Sequence, residues 1–179
     1  MVLQAIKYCR GSLQILDQLR LPHEEVYINI RVIQDAWDAI HNMQVRGAPA
    51  IAIVAALSVA VCLSRCNAGS AMLGPDMTGS ALITHNLQFL VTSRPTAVNL
   101  ADAAKKLGTV VQNAQTRAGA TDLSIYEAYI EAAERMLVDD VQDNENIGNF
   151  GADWILRHTD LVYPGGKLSV LTHCNTGSV

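Results

Sequence analysis

The longest apolar stretch in this sequence runs from Ile51 to Leu63, about 13 residues, and only Ser58 interrupts it. A helix that spans a membrane needs roughly 20 apolar residues, so we expect this stretch to be buried inside the protein and not in a bilayer. Pro49 stands just ahead of it, in the first turn of a helix, where its missing backbone N–H group costs nothing. The sequence therefore predicts an apolar core helix over residues 49–64.

The residues around this core helix indicate an α+β fold that is mostly helical, with a small antiparallel sheet. Residues 1–30 alternate apolar and polar side chains and break at Gly11 and near Pro22, which predicts two or three short strands. Only 17% of the residues are charged, which excludes a disordered chain. Apolar residues at helical spacing predict further helices over 32–43, 80–91, 96–118, 123–142 and 146–157, with a Gly- and Ser-rich surface loop over 67–80.

The last residues predict a change of architecture. After the break at Tyr163-Pro-Gly-Gly, the segment KLSVLTHC over 167–174 has the pattern of a strand. We therefore divide the chain into a helical domain with a small sheet, residues 1–162, and the start of a second unit of parallel type, residues 163–179. A lone strand has no pairing partner within its own unit.

Charge and cysteine content exclude several classes of protein. A formal net charge of −4 leaves no overall positive field for nucleic acid, so an anionic ligand must be held by a few arginines and helix ends. Four cysteines without a recognisable secretory leader predict a reducing cytosolic setting with free thiols. Cys62 and Cys66 have no histidine or further cysteine at ligand spacing, so we expect both in the core and no metal site.

The strongest local signal for chemistry is the turn Arg46-Gly47-Ala48, which leads directly into the apolar helix. Gly47 and Ala48 are small enough for the N–H groups of the helix start to approach an anion closely. The Arg46 guanidinium offers two parallel donors to a phosphate. The competing interpretation is a helix entry with a solvated arginine.

A second arginine, Arg94, also precedes a proline and a predicted helix, with Ser93 or Thr96 as the expected cap. Taken singly, an arginine in this position is usually a surface residue. Two such helix starts in one chain suggest the hypothesis that both converge on one anionic ligand. The sequence does not show this convergence.

The third signal is Cys174, at the carboxyl end of the predicted last strand. In open α/β sheets this edge carries ligands and reactive groups. His173 is its neighbour on the strand and points to the opposite face, so we expect no thiolate–imidazole pair. The alternative is a buried cysteine that acts as a small apolar side chain.

Four motifs in this order, RGAPAI, RPTAVNL, NIGNFGA and LTHCNTG, resemble those of the methylthioribose-1-phosphate isomerase family, and the opening AIKYCRGSLQILDQLRLP resembles its animal form. The resemblance implies isomerisation of 5-methylthioribose 1-phosphate to 5-methylthioribulose 1-phosphate in methionine salvage, with no metal or nucleotide. It implies an active site between the helical domain and a Rossmann-like domain that begins with the last strand. By this resemblance, substrate is bound by Arg46, Gly47 and Ala48, the phosphate by Arg94, and Cys174 is the catalytic cysteine.

The resemblance also sets limits. It implies an aspartate as proton donor at a position beyond Val179, so we expect a truncated chain that is inactive alone. It implies a homodimer formed mainly through the Rossmann-like domain, and hence no firm dimer of this chain by itself. It adds the nucleus to the cytoplasm as an expected location. The alternatives are a ribose 1,5-bisphosphate isomerase and a non-catalytic regulatory subunit of translation initiation factor 2B, which shares the fold.

Overall fold

The computed structural model describes residues 3–67, 78–158 and 169–171, as three short strands followed by five helices. The strands are β1 (Ile6–Cys9), β2 (Ser12–Leu16) and β3 (Tyr27–Ile30). The helices are α1 (Ile33–His41), α2 (Ala48–Asn67), α3 (Gly79–Val91), α4 (Val98–Gln115) and α5 (Asp122–His158). The predicted α+β fold class is confirmed.

The strands form one antiparallel sheet in the order β1-β2-β3. A tight hairpin joins the first two, with Cys9 opposite Ser12 and Gly11 at a φ of +82°, a backbone conformation that side chains rarely adopt. On β2, Leu13, Ile15 and Leu16 are buried, whereas Ser12 is exposed and Gln14 is half-buried. The alternation that predicted two or three strands therefore gives three, with one face directed into the core.

Helix α2 is the centre of the core, as the apolar stretch predicts. Every residue from Ala50 to Val61 is buried, because α1, α3, α4 and α5 all pack against this helix. Ser58, the polar interruption, donates its hydroxyl proton to the carbonyl of Ala55 at 2.8 Å and so causes no unsatisfied polar group. The window Ala48–Arg65 is long and apolar enough to cross a membrane, yet 72% of it is buried inside the protein, as in a core helix.

The predicted helices 32–43, 80–91 and 96–118 are confirmed as α1, α3 and α4, with ends shifted by a few residues. The predicted pair over 123–142 and 146–157 is wrong, because α5 is one continuous helix of 37 residues. Side-chain bonds cross the expected break, from Gln142 to Asn146 at 3.2 Å and from Asn144 to the Asp140 carbonyl at 2.8 Å. The buried face of α5 ends at Ala133, so the apolar periodicity fades although the helix continues.

Two predictions fall largely outside the described residues. The surface loop expected over 67–80 includes residues 68–77, which are not described. Of the strand expected over 167–174, only residues 169–171 are described, and they are exposed and belong to no strand. The second unit at 163–179 therefore stays a prediction.

An ion-pair network fastens the sheet to α5. Arg10 donates from Nε and Nη2 to the two carboxylate oxygens of Glu134, at 2.9 and 3.0 Å, and also pairs with Glu127. The Tyr8 hydroxyl donates to the same carboxylate at 3.0 Å. These bonds, that of Arg10 first, hold the pKa of the Glu134 carboxyl below its ordinary value.

Candidate functional site

The first candidate residues lie in the loop between α1 and α2. The loop continues from α1 through a bond from the Gln44 N–H to the Ala39 carbonyl, at 2.9 Å. Gly47 has a φ of +95°, outside the range open to ordinary side chains, and its carbonyl accepts the first bond of α2, from Ile51 at 3.0 Å. Arg46 is half-buried immediately before this turn, and Ala48 is exposed as the first residue of the helix. The sequence-predicted order of arginine, tight turn and helix start is present.

The two residues that follow β2, Asp17 and Gln18, hold the backbone of this loop in place. Asp17 is buried, and its carboxylate accepts from the Gln44 side chain at 3.1 Å and from the Leu19 N–H at 3.1 Å. Gln18 donates its side-chain amide to the Arg46 carbonyl at 3.4 Å. Sequence reasoning did not identify Asp17, although an acidic residue directly after a buried strand, in LQILDQ, is a usable signal of a loop anchor.

The second candidate, Arg94, begins a tight turn before α4. The Ala97 N–H donates to the Arg94 carbonyl at 2.9 Å, with Pro95 in the second position of the turn, which suits its fixed φ. The prediction that Ser93 or Thr96 caps the helix is wrong: the cap is Ala97, without a side-chain bond. The Ser93 hydroxyl is already used at the end of α3, where it donates to the Leu90 carbonyl at 2.6 Å.

Both guanidinium groups are available to a ligand. That of Arg46 makes one bond within the described chain, from Nε to the Met43 carbonyl at 3.2 Å, which leaves its terminal nitrogens unpaired there. That of Arg94 has no partner among the residues that the structure describes. Neither arginine takes part in an ion pair with a described carboxylate. Two half-buried cations without anionic partners in this part of the chain can bind a phosphate.

One contact links the two segments that carry the candidate arginines. The His41 ring, at the end of α1, contacts the Ser93 carbonyl through Nδ1 at 3.2 Å. A carbonyl oxygen only accepts, so this nitrogen must carry the proton. The bond joins the loop that leads to Arg46 to the residue next to Arg94. Two segments that are distant in sequence therefore lie side by side.

A cavity of about 540 Å³ opens next to both helix starts. Pro49, in the first turn of α2, and Asn99, in the first turn of α4, line it together with the middle of α5. Burial raises the pKa of the Asp140 carboxyl, and the nearby negative charge of Asp143 raises it further. The charged residues of the lining are Asp102, Lys106, Arg135, Asp139, Asp140 and Asp143.

The third candidate, Cys174, lies outside the described residues, so its position relative to the two arginines stays a prediction. Within the described ranges, no group of three or more His, Cys, Asp or Glu side chains is arranged to hold a metal ion. The Arg46 and Arg94 guanidinium groups, which have no carboxylate partner among the described residues, are the groups there that suit an anion.

Comparison with known proteins gives consistent matches over this region. The sequence model of the initiation factor 2 subunit family matches residues 44–179. The methylthioribose-1-phosphate isomerase of Pyrenophora tritici-repentis is 56% identical over 181 residues, which covers all of this chain and 44% of the relative. The isomerase of the same name from Talaromyces marneffei is 52% identical over 179 residues, again all of this chain and 46% of the relative. The chain thus spans less than half the length of the curated relatives it matches.

Two solved structures share the fold. The 5-methylthioribose 1-phosphate isomerase of Pyrococcus horikoshii OT3 superposes with a TM-score of 0.71 at 25% identity, over 84% of this chain and 40% of that chain. Subunit delta of translation initiation factor eIF-2B from A. fulgidus superposes with a TM-score of 0.66 at 27% identity, over 85% and 42%. The fold is common to both kinds of protein.

Proposed function

The chain belongs to the initiation factor 2 subunit family, and from that membership we propose that it supplies the phosphate-binding part of a methylthioribose-1-phosphate isomerase. The reaction converts 5-methylthioribose 1-phosphate to 5-methylthioribulose 1-phosphate. Relatives that carry this activity in their names are 48 to 56% identical to the chain over essentially its whole length. The proposal extends to a second, Rossmann-like domain that begins at residues 163–179, and to a cytoplasmic homodimer for the whole protein.

The reaction requires three things from the protein. The phosphate on C1 keeps the sugar ring closed, so the enzyme must hold the phosphate, open the ring and move a hydrogen between C1 and C2. Holding the reactant in one orientation lowers the entropic part of the barrier. A positioned proton donor or acceptor and a site without water complete the requirements. None of these steps consumes a redox or nucleotide cofactor.

The described residues support the first requirement, a hold on the phosphate. Arg46 and Arg94 offer two charged forks to the phosphate oxygens, which accept paired N–H bonds. Gly47 and Ala48 keep the start of α2 open, so that backbone N–H groups and the positive end of the helix dipole face the anion. Cys174 is proposed as the reactive thiol beside C1 and C2, on the strength of its motif. The observation that carries the proposal is the His41–Ser93 bond, which links the segment that leads to Arg46 to the residue before Arg94. Neither arginine has a carboxylate partner among the described residues.

The competing function is that of a binding subunit without catalysis. The fold does not separate the two, since TM-scores of 0.71 and 0.66 are similar. Sequence identity favours the isomerase, at 56% to the Pyrenophora enzyme against 27% to the initiation factor subunit.

The proposal is tested with a chimera in which this chain replaces the 181 matched residues of the Pyrenophora isomerase. We expect the folded chimera to isomerise 5-methylthioribose 1-phosphate. Each of Arg46→Ala and Arg94→Ala should lower kcat/KM by about 100-fold, because a hydrogen bond to a charged group is worth roughly 1.5–3 kcal/mol. Arg117→Ala is the matched control, since Arg117 is an exposed arginine on the turn between α4 and α5.

Two results would contradict the proposal. The first is a folded chimera, with the circular dichroism of the parent enzyme, that shows no turnover. The second is an active chimera in which Arg94→Ala and Arg46→Ala behave like Arg117→Ala. Stable capture of initiation factor 2 subunits without turnover would support the binding function instead.

A further inference from the structure

A set of surface side chains links the end of α1 to the end of α3. The Trp37 ring stacks on His41, with centroids 4.5 Å apart and planes at 16°, and on Phe89, at 6.0 Å and 24°. Trp37 donates its indole N–H to the Thr92 hydroxyl at 2.9 Å, and His41 contacts the Ser93 carbonyl at 3.2 Å. We call Trp37, His41, Phe89 and Thr92 the aromatic clamp.

The aromatic clamp is not part of the main core. His41 is exposed and the rings of Trp37 and Phe89 are half-buried, whereas the core around α2 is almost fully closed. Within the described chain, the bonds of Trp37 and His41 are the side-chain hydrogen bonds between α1 and the end of α3. Stacking and hydrogen bonds depend on direction, so together they fix both the separation and the rotation of the two helix ends.

The segments that leave the aromatic clamp carry the two arginines. The chain continues from His41 into the loop that ends with Arg46, and Arg94 follows Ser93 directly. On the other side, Gln18 and Asp17 already hold the Arg46 loop. The contacts between α1 and the end of α3 therefore contribute to the position of Arg94 relative to Arg46, beside the packing of both helices on α2.

We propose that the aromatic clamp is a positioning device that sets the spacing of Arg46 and Arg94 to fit one phosphate group. This inference rests on the function proposed above. His41 and Trp37 are positioning residues, which act through the arginines and do not touch the substrate. A displacement of about 1 Å in such a pair lengthens the bonds of the arginines to the phosphate and weakens substrate binding, so the effect is expected in KM and, through KM, in kcat/KM.

The chemistry of His41 shows which replacements preserve the contact. The Ser93 carbonyl needs a donor, and the amide of an asparagine at position 41 offers an N–H close to the place of Nδ1. Alanine offers neither the donor nor the ring. Phenylalanine at position 37 keeps the stack and loses the donor to Thr92. These three variants separate the hydrogen bonds from the stacking.

The test measures KM and kcat separately in the same chimera. We expect His41→Ala to raise KM for 5-methylthioribose 1-phosphate about tenfold, equivalent to about 1.4 kcal/mol, with kcat changed less than about twofold. His41→Asn should restore KM to within about threefold of the parent, and Trp37→Phe should raise it by about threefold, in line with one lost hydrogen bond. His85→Ala is the matched control, because His85 is also an exposed histidine and lies on α3, where it is not a member of the aromatic clamp.

A role in folding alone would give a different pattern. It would reduce the amount of active protein, so kcat would fall at an unchanged KM, and asparagine would not rescue it. Positioning also predicts that His41→Ala adds little to Arg94→Ala, because the second change removes the group that the first one misplaces. Additive losses in the double variant would contradict the proposal.

The outcomes for the two proposals are distinct. If Arg94→Ala raises KM while His41→Ala and His85→Ala both match the parent, the aromatic clamp does not position the arginines, and the isomerase function stands. If Arg94→Ala and Arg46→Ala also match the parent, the phosphate-binding function itself is wrong. Equal urea midpoints for His41→Ala and His85→Ala verify that both variants are folded.

Discussion

Replacement of Gly47 by alanine tests the link between backbone geometry and phosphate binding most sharply. At a φ of +95°, a side chain at this position is strained, and the cost of such a conformation is about 1–3 kcal/mol. Gly11 gives a matched control in the β1–β2 hairpin, because its φ is +82° and an added Cβ would meet nothing within 4 Å. Both changes thus carry similar strain, and only one lies at the arginine loop.

The expected loss of stability is about 2 kcal/mol for each variant. With a urea dependence of about 2 kcal/mol per M, the unfolding midpoint of the chain should fall by roughly 1 M in both cases. The effect on activity should differ. Relief of strain at Gly47 turns Arg46 relative to the start of α2, so kcat/KM of the Gly47→Ala chimera should fall about 10- to 100-fold, whereas Gly11→Ala should stay within about twofold.

Stability is measured by urea unfolding of the chain, monitored by tryptophan fluorescence. Activity is measured by steady-state kinetics of the chimera. An equal loss of activity in the two variants would refute the role of the Gly47 backbone in orienting Arg46. It would show that lower stability, and not the orientation of Arg46, reduces the activity. An unchanged midpoint for Gly47→Ala would refute the assigned strain.

Three further outcomes are expected. Glu134→Gln should destabilise the chain by less than about 1 kcal/mol at pH 7. Arg10 lowers the pKa of the Glu134 carboxyl, so the difference in unfolding free energy between parent and variant should be complete above the ordinary carboxyl pKa of about 4.3. The difference should vanish as the pH falls through the lowered pKa. A difference that grows in acid would contradict this. Gly79→Ala places a Cβ 2.5 Å from the buried Tyr126 ring and should cost about 1–3 kcal/mol in urea unfolding, so an unchanged midpoint would contradict the packing. Ile83→Ala, at a fully buried site of α3, should cost about 2–5 kcal/mol, and a loss below 1 kcal/mol would contradict its place in the core.

Most of the fold could be predicted because its elements follow strong local patterns. The apolar run of α2 predicted a core helix, and the alternating residues near the start of the chain predicted a small antiparallel sheet. Both predictions are confirmed. The error at α5 has a physical cause. Ala133 is the last fully buried residue of α5, and the large apolar residues Val141, Ile147, Phe150 and Trp154 are exposed. Hydrophobic spacing therefore carries little information about this part of the helix.

The candidate site was predictable in its parts and not in its assembly. The arginine turns at Arg46 and Arg94 follow from local sequence, since proline and glycine mark turns wherever they occur. The contacts that join them do not. His41 and Ser93 are 52 positions apart, and the local sequence around either residue does not predict a contact with the other. The wrong helix cap has a local cause, because the Ser93 hydroxyl already donates to a carbonyl of the preceding helix, that of Leu90.

The proposed function depends on the binding of one phosphate group by both Arg46 and Arg94. A crystal structure of the active chimera with 5-methylthioribulose 1-phosphate measures this directly. We expect phosphate oxygens at about 2.7–2.9 Å from nitrogens of both guanidinium groups, with the Cys174 sulfur beside C1 and C2 of the sugar. A phosphate held by other residues, with either arginine turned away into solvent, would contradict it.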